Sequence, residues 1–483
     1  MNGDHSEMRA ILERAAAQAI AYREEVGMRP QRPEAGYAQM RRVFALPTPD
    51  RGLPGEAVID ELAARAAPGL NAMTGPRFFG WVIGASHPVG VAADWLTSAW
   101  GQNTGNHSAA PAAAAAEEAA MGWMLDILDL PRDCSVGFVT GATAANLTGI
   151  AAARSAVLRR AGWDVEADGL CGAPPIDVLI GDDAHTTVFA SLQILGLGHA
   201  RVHRVATDAA GRIDAADFAR KIAPCTGPVI AIAQAGQINT GAFDPFAEIV
   251  AAAREKNAWV HVDGAFGLWA RACPEKANLT AGIEGCDSWA TDGHKWLQTP
   301  YDCGYAIVRD GEAHRRAMTA AASYLPTVGA DERDPSHVTP ELSRRARGFA
   351  TWAMIRHLGR TGIADMVARH CRLARLMAER LAAEPGVEIV NDVELNQVMV
   401  RFGAELSREQ GDALTQAVIE KVQLDGTCFA GGARWRDRWI MRLSVISWPT
   451  DDDAAARSAA AIAEAWRKVR AKPVPAIGAA AGA

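Results

Sequence analysis

The chain is poor in cysteine, with eight in 483 residues: Cys134, Cys171, Cys225, Cys273, Cys286, Cys303, Cys371 and Cys428. That density excludes a disulfide scaffold, and the absence of any CxxC pair removes the zinc and thioredoxin signatures. No metal site is expected. There is no basic excess either. The formal net charge is −7, which argues against a broad nucleic-acid-binding face. No apolar run approaches the ~20 residues that cross a bilayer. The opening residues, MNGDHSEMRA, carry no charged-then-apolar leader. The expectation is a cytoplasmic protein whose partners are small molecules, not nucleic acid or membrane. Lysine is also scarce. Only seven of the 49 Lys and Arg residues are lysines, so chemistry that needs an amine has few candidates.

What is present is globular: 49% hydrophobic and 22% charged residues. Residues Ser6 to Arg23 place Met8, Ile11, Leu12, Ala15 and Ile20 on one helical stripe. A second helical pattern runs from Glu56 to Ala66, after proline- and glycine-rich stretches. These stripes need an outside surface to cover them, so residues 1–99 read as an N-terminal arm packing on a partner. Between 100 and 360, short apolar runs alternate with helical segments. The predicted strands are Val136–Val139, Val178–Ile180, Val202–Val205, Val229–Ala233, Val260–Val262, Ser288–Ala290 and Gly304–Val308. Such alternation gives βαβ units and a mostly parallel sheet flanked by helices, an α/β fold with ligands at the strand carboxyl ends. Residues 361–472 read as a small C-terminal α/β domain with strands at Val387–Val390, Gln397–Phe402 and Trp439–Ser444. Residues 473–483 read as a disordered tail.

Four segments carry chemistry. Trp289-Ala-Thr-Asp-Gly-His-Lys-Trp296 ends a strand and presents His294 and Lys295 on a loop. Trp259-Val-His-Val-Asp-Gly-Ala265 is a strand ending in the Asp263 carboxylate. An amine and a carboxylate on one rim suit a carbonyl cofactor with a pyridine nitrogen. The amine condenses with the carbonyl, and the carboxylate keeps the ring nitrogen protonated so that the ring accepts electrons. Thr140-Gly-Ala-Thr-Ala-Ala-Asn146 joins a strand to a helix. Small residues and free helix N–H groups make it a phosphate seat, with Thr143 as hydroxyl donor. Asp182-Asp-Ala-His-Thr186 follows another strand and offers the flat ring of His185. Singly, each has an ordinary reading: Lys295 a surface charge, Asp263 and Thr143 caps, His185 a cap or a satisfied core histidine.

Together, and in this order, the segments resemble the pyridoxal-phosphate-dependent group II amino-acid decarboxylases, the family of aromatic-amino-acid and glutamate decarboxylases. The similarity runs from about Pro76 to Ser447, and Tyr301-Asp-Cys303 also matches. The resemblance implies the PLP-dependent transferase fold of the aspartate aminotransferase type I class and pyridoxal 5'-phosphate as cofactor. It implies a large PLP-binding domain over 100–360 and a homodimer with active sites at the subunit interface. Lys295 becomes the Schiff-base lysine, Asp263 the partner of the ring nitrogen, and His185 the stacking histidine. Ala142 and Thr143 fall at the phosphate, His294 beside the lysine, and Ala265 at the ring. Pro76-Arg-Phe-Phe-Gly-Trp-Val-Ile-Gly84 resembles the family's substrate strip, making Phe79, Trp81 and Ile83 pocket candidates.

Three departures stand out. The family's mobile loop carries a tyrosine that reprotonates the substrate carbon. The corresponding stretch, Gly329 to Pro340, has none, leaving His337 and Tyr324 as substitutes. The family's Gly-Thr-Thr is here Gly236-Gln-Ile-Asn-Thr240, so Asn239 or Thr240 takes over that polar contact. Asp292 stands where many members are neutral beside the phosphate, and repulsion should turn it away. The reading is decarboxylation of an L-amino acid to the amine. An aromatic substrate is preferred for the aromatic strip and the lack of an evident basic pocket residue, Arg77 being the nearest. The alternatives are a decarboxylation-dependent aldehyde synthase, favoured by the missing tyrosine, and an acidic amino-acid decarboxylase. A carbon–carbon lyase or aminotransferase is a further one, and a non-catalytic binding protein on the same fold is the last.

Overall fold

A computed structural model describes residues 2–319 and 332–471, with side chains from residue 5 onward. Tyr324 and the 473–483 tail lie outside the described residues. Seven strands form the larger sheet: β1 (Ser135–Val139), β2 (Asp177–Gly181), β3 (His203–Val205), β4 (Val229–Gln234), β5 (Trp259–Asp263), β6 (Ser288–Asp292) and β7 (Gly304–Val308). Their order is β1-β7-β6-β5-β4-β2-β3. Strands β3, β2, β4, β5 and β6 pair in parallel, and β7 runs antiparallel between β6 and β1. Every residue of β4, β5, β6 and β7 is buried, which is why β4 and β7 appear in the sequence as apolar runs and not as alternating patterns, while β5 and β6 carry buried polar residues at their ends. The fold is the mostly parallel, helix-flanked α/β sheet that the sequence indicates.

A second, antiparallel sheet follows: β8 (Val387–Ile389), β9 (Gln397–Phe402), β10 (Gly431–Trp435) and β11 (Arg438–Ser444), in the order β10-β11-β9-β8. Strand β10 has no counterpart among the predicted strands. Its Gly-Gly start reads as loop, and its turn is Arg436-Asp437, both at positive φ (47° and 63°). A two-residue turn of that conformation ordinarily advertises itself by Asn-Gly. A long helix precedes this sheet, from Arg347 to Ala382, broken at Gly359, where φ is +62°. No helix among the described residues is long and apolar enough to cross a membrane.

The segment 76–84 stitches the two sheets together. Phe79 N–H donates to Phe429 O at 2.8 Å, and Ser444 N–H donates to Phe79 O at 3.1 Å. The Phe79 side chain is fully buried among the core residues of the smaller sheet and its helices. At Gly84 any β-carbon would collide with the carbonyl oxygens of His294 and Lys295, so the strip lies backbone to backbone against the lysine loop.

Several polar groups are sealed in the core. Glu117 is fully buried and accepts from Arg344 at 2.9 Å and from Arg333 at 3.3 Å. Glu117→Ala leaves the Arg344 charge buried without its partner, and should lower unfolding stability by about 3–5 kcal/mol in a denaturant titration. His261, His314 and His370 are fully buried, and burial pushes each imidazole down to about 3. They are therefore neutral in the folded chain, whereas the unfolded chain takes up their protons below about 6.5. The unfolding midpoint should accordingly fall as pH drops through the window from about 6.5 toward 3. A flat midpoint between pH 7 and pH 5 would contradict this.

Candidate active site

Strand register assembles the rim. Gln234 at the end of β4 pairs with Asp263, Asp263 with Ala290, and Asp292 with Gly304, which in turn pairs with Val139 at the end of β1. Thr140 to Thr143, Asp263 to Ala265 and Asp292 to Lys295 thus leave the sheet along one edge. Thr140 to Thr143, Ala265, Asp292, His294 and Lys295 wall a cleft of about 320 Å³ with His185, Thr187 and Tyr301, while Asp263 lies behind it against Gln234 and Asp244.

The helix Ala142–Arg160 has Gly141, extended, as its cap. A β-carbon on Gly141 would come within 3.0 Å of the His294 ring. The bare backbone therefore lies against the lysine loop with the first helical N–H groups directed into the cleft. Thr143 lies exposed in the first turn, not at the cap.

The lysine loop is held by backbone bonds. Gly293 and His294 N–H both donate to Cys303 O, at 3.0 and 3.2 Å. The His294 Nδ1 accepts from Cys303 N–H at 3.2 Å, and its ring stacks on Tyr301 with centroids 4.2 Å apart. Buried Gln298 ties the loop down: its amide nitrogen donates to Lys295 O at 3.0 Å and to Ile446 O at 2.7 Å, and its oxygen accepts from Ala85 N–H at 2.9 Å.

Asp292 overturns the expectation that it turns away. Its Oδ2 lies 2.9 Å from Lys295 Nζ, and its Oδ1 accepts from Ala142 N–H at 2.6 Å. The repulsion argument considered one absent anion and left out two donors that the fold places beside this carboxylate.

Asp263 is buried, with Oδ1 accepting from Ala265 N–H at 3.2 Å. Burial pushes its carboxyl up, while the charges of His185 and Lys295 pull it back. His185 caps the helix Thr186–Ile194, its Nδ1 2.8 Å from Thr187 Oγ1. Burial lowers its imidazole, with Asp263 the largest opposing charge. Capping the helix and lining the cleft prove compatible. Burial likewise lowers His294, while Tyr301, 54% exposed, holds its proton at neutral pH as an ordinary phenol does.

Other candidates stand elsewhere. Thr240 is buried with its hydroxyl donating to Ala210 O at 2.7 Å, beside a separate pocket lined by Ala209, Arg212 and Asn391. Phe79 is core of the smaller domain, as described. Trp81 is half exposed at φ +55° and stacks on Phe429, with centroids 5.4 Å apart. Ile83 is half-buried, next to the Gly84 contact with the lysine loop. His337 faces Asp334, its Nε2 3.8 Å from Oδ2, and does not line the cleft. Arg77 donates to Thr427 O at 2.6 Å and does not line it either.

Sequence reasoning missed Tyr301 as a cleft residue, Gln298 as the tie, and Arg442 on β11. Arg442 donates to Asn239 Oδ1 at 3.1 Å, and no carboxylate pairs with it among the described residues. Burial pulls its guanidinium down to about 10, and its charge acts on His185. Nothing in the sequence distinguishes it from the many other arginines.

The residues fit a carbonyl-bearing heterocycle with an anionic tail. There is an amine, a buried carboxylate, a flat imidazole, and a helix N-terminus whose glycine cap leaves no side chain in the way. The pyridoxal-dependent decarboxylase conserved domain matches residues 38–403. Tryptophan decarboxylase 1 of Oryza sativa subsp. japonica is 25% identical, covering 92% of this chain and 91% of its own. The 4-hydroxyphenylacetaldehyde synthase of Rhodiola rosea is 26% identical over 84% of each. The crystal structure of Oryza sativa TDC with PLP and tryptamine superposes with a TM-score of 0.89 at 23% identity, covering 96% of this chain and 98% of that one. With the family domain spanning most of its length, the chain belongs to the pyridoxal-dependent decarboxylase family and is a PLP-dependent amino-acid decarboxylase.

Proposed function

We propose that the chain removes the α-carboxylate of an aromatic L-amino acid. The observation that carries this reading is the cleft wall of stacked His294 and Tyr301 beside Lys295, a flat face on which an aromatic side chain packs favourably. The aromatic substrates named for several relatives agree with it.

Bound pyridoxal phosphate supplies the electron sink that takes the pair left when the Cα–carboxylate bond breaks. Lys295 would hold the cofactor through its amine, Asp263 would stand as the charged partner of the ring nitrogen, and His185 would cover a ring face. Ala142 N–H and Thr143 would take the anionic tail, and Ala265 would flank the ring. The proton that must reach Cα comes from Tyr301, the one phenol lining the cleft among the described residues. It takes this role over from His337, whose ring is engaged with Asp334.

Residues 1–99 are an arm that packs on a second copy. Leu12, Ile20, Leu62, Trp95, Leu96 and Trp100 are all more than two-fifths exposed, more apolar surface than an isolated chain tolerates comfortably. The large unit then covers 100–360 and the small one 361–472.

A second substrate reading rests on Arg442. Arg442 is half-buried and meets no carboxylate among the described residues, and an acidic amino acid would bring it one. A substrate panel separates the two readings. Arg442→Gln should spare turnover of an aromatic substrate, and should abolish it if the substrate is acidic.

Lys295→Ala should lose the absorbance of the bound cofactor together with turnover, and normal turnover would end this reading. Tyr301→Phe keeps the stack and removes the proton. Amine formation should fall by about 10²–10⁴-fold, with any remaining product appearing as aldehyde, ammonia and peroxide. Simultaneous measurement of CO₂ release and oxygen uptake reads this partition, and an unchanged amine rate would remove Tyr301 from the mechanism. Light scattering should give twice the 51.2 kDa chain mass.

A further inference from the structure

The helix N-terminus at Ala142 and the Lys295 ammonium are the two cationic features of the cleft that an anionic cofactor would use. Both already have a partner from the chain itself. Asp292 Oδ1 accepts from Ala142 N–H at 2.6 Å, and Oδ2 pairs with Lys295 Nζ at 2.9 Å. The same Oδ1 stands 3.5 Å from His294 Nε2. The carboxylate has no alternative posture within easy reach. Its residue is 2% exposed, its backbone N–H donates to Ala265 O at 2.9 Å, and its carbonyl accepts from Trp269 Nε1 at 3.0 Å. A β-carbon on Gly141 or on Gly304 would approach Oδ1 to 3.2 or 3.0 Å. Two glycines thus leave room for this carboxylate at the mouth of the helix.

We infer that Asp292 is a built-in competitor for the anion seat, holding the Ala142 N–H and the Lys295 amine and so setting how tightly pyridoxal phosphate is retained. An anionic tail entering this seat meets a fixed negative charge and must share or displace its two donors. An amide at the same position keeps the shape, loses the charge, and offers a donor of its own. Asp292 is therefore a positioning residue, acting on Lys295 and on the cofactor's anionic group and not on the substrate.

The inference rests on pyridoxal phosphate being the cofactor and is independent of which amino acid is consumed. The test is equilibrium and dissociation measurement of pyridoxal phosphate on the full-length chain and on Asp292→Asn, by cofactor absorbance, with pyridoxal as the phosphate-free probe. Asp292→Asn should bind pyridoxal phosphate about tenfold or more tighter and release it more slowly, because a charge-assisted bond to the seat is freed for the ligand. Pyridoxal should gain much less. Inorganic phosphate should compete with pyridoxal phosphate at lower concentration in the variant than in the parent. Unchanged or weaker pyridoxal phosphate binding in Asp292→Asn would overturn the inference. So would an equal gain for pyridoxal, since the effect would then run through the lysine alone. Asp292→Ser, which also removes the charge, checks that the gain follows charge and not the added amide. A gain confined to the amide variant would overturn the inference too. If neither parent nor variants bind pyridoxal phosphate, it is the cofactor assignment that fails, an outcome distinct from the others.

Discussion

The architecture of the rim depends on one close backbone approach. Gly304 sits in register with Asp292 on one side and Val139 on the other, and a β-carbon there would run into the backbone of Gly141. Strand β7 enters antiparallel, so it begins where β1 and β6 end. That single reversal lets a helix N-terminus meet a lysine loop 150 residues further along the chain. Because β1 and β6 both run antiparallel to β7, they run parallel to each other, and the helix after β1 starts at the same edge as the lysine loop. The parallel strands then add Asp263 and His185 at the same edge, as open α/β sheets generally do with their ligands.

Electrostatics in the cleft follow from that crowding. Asp292 and Asp263 face Lys295, with His185 beside them and the Arg442 charge in range. A buried carboxylate without a partner costs several kcal/mol, and a paired one roughly breaks even. Asp292 lies on the paired side of that balance, through the ammonium and the helix N–H. The two aspartates thereby divide the work. One is held against the amine, and the other is kept deep, raised by burial and restrained by its cationic neighbours.

Much of this was legible in the sequence. Where strands are buried on both faces, short apolar runs mark them, and β7 and β9 fall on their predicted bounds. The chemistry-bearing residues Lys295, Asp263, His185, His294, Ala142, Thr143 and Ala265 stand at strand ends, where the alternation of strand and helix already places them. The failures have physical causes. Phe79 is apolar whether it faces a ligand or a core, and only its burial among the core residues of the smaller sheet decides between them. Strand β10 begins with two glycines and turns on Arg-Asp, so neither propensity nor turn chemistry announces it. Arg442 acquires meaning only from its half-buried place on β11 without a carboxylate partner among the described residues. The direction of Asp292 depended on donors brought from a distant segment.

The placement of Gln298 carries the argument from site to motion. Its amide bonds reach Lys295 O in the lysine loop, Ile446 O just after β11, and Ala85 N–H next to the substrate strip. Residue 298 is itself buried at φ +59°, so its backbone has little freedom to follow one partner and leave the others. Any shift of the smaller sheet against the larger one must therefore move the lysine loop or break bonds that would be left unsatisfied in the interior, each at a cost of about 1–3 kcal/mol. Arg442 rides on β11, four residues before Ile446, and the 76–84 strip is bonded to the same sheet. The 76–84 strip, β11 and the lysine loop are thus coupled through one side chain, and a shift of the smaller sheet is transmitted to Lys295 through it.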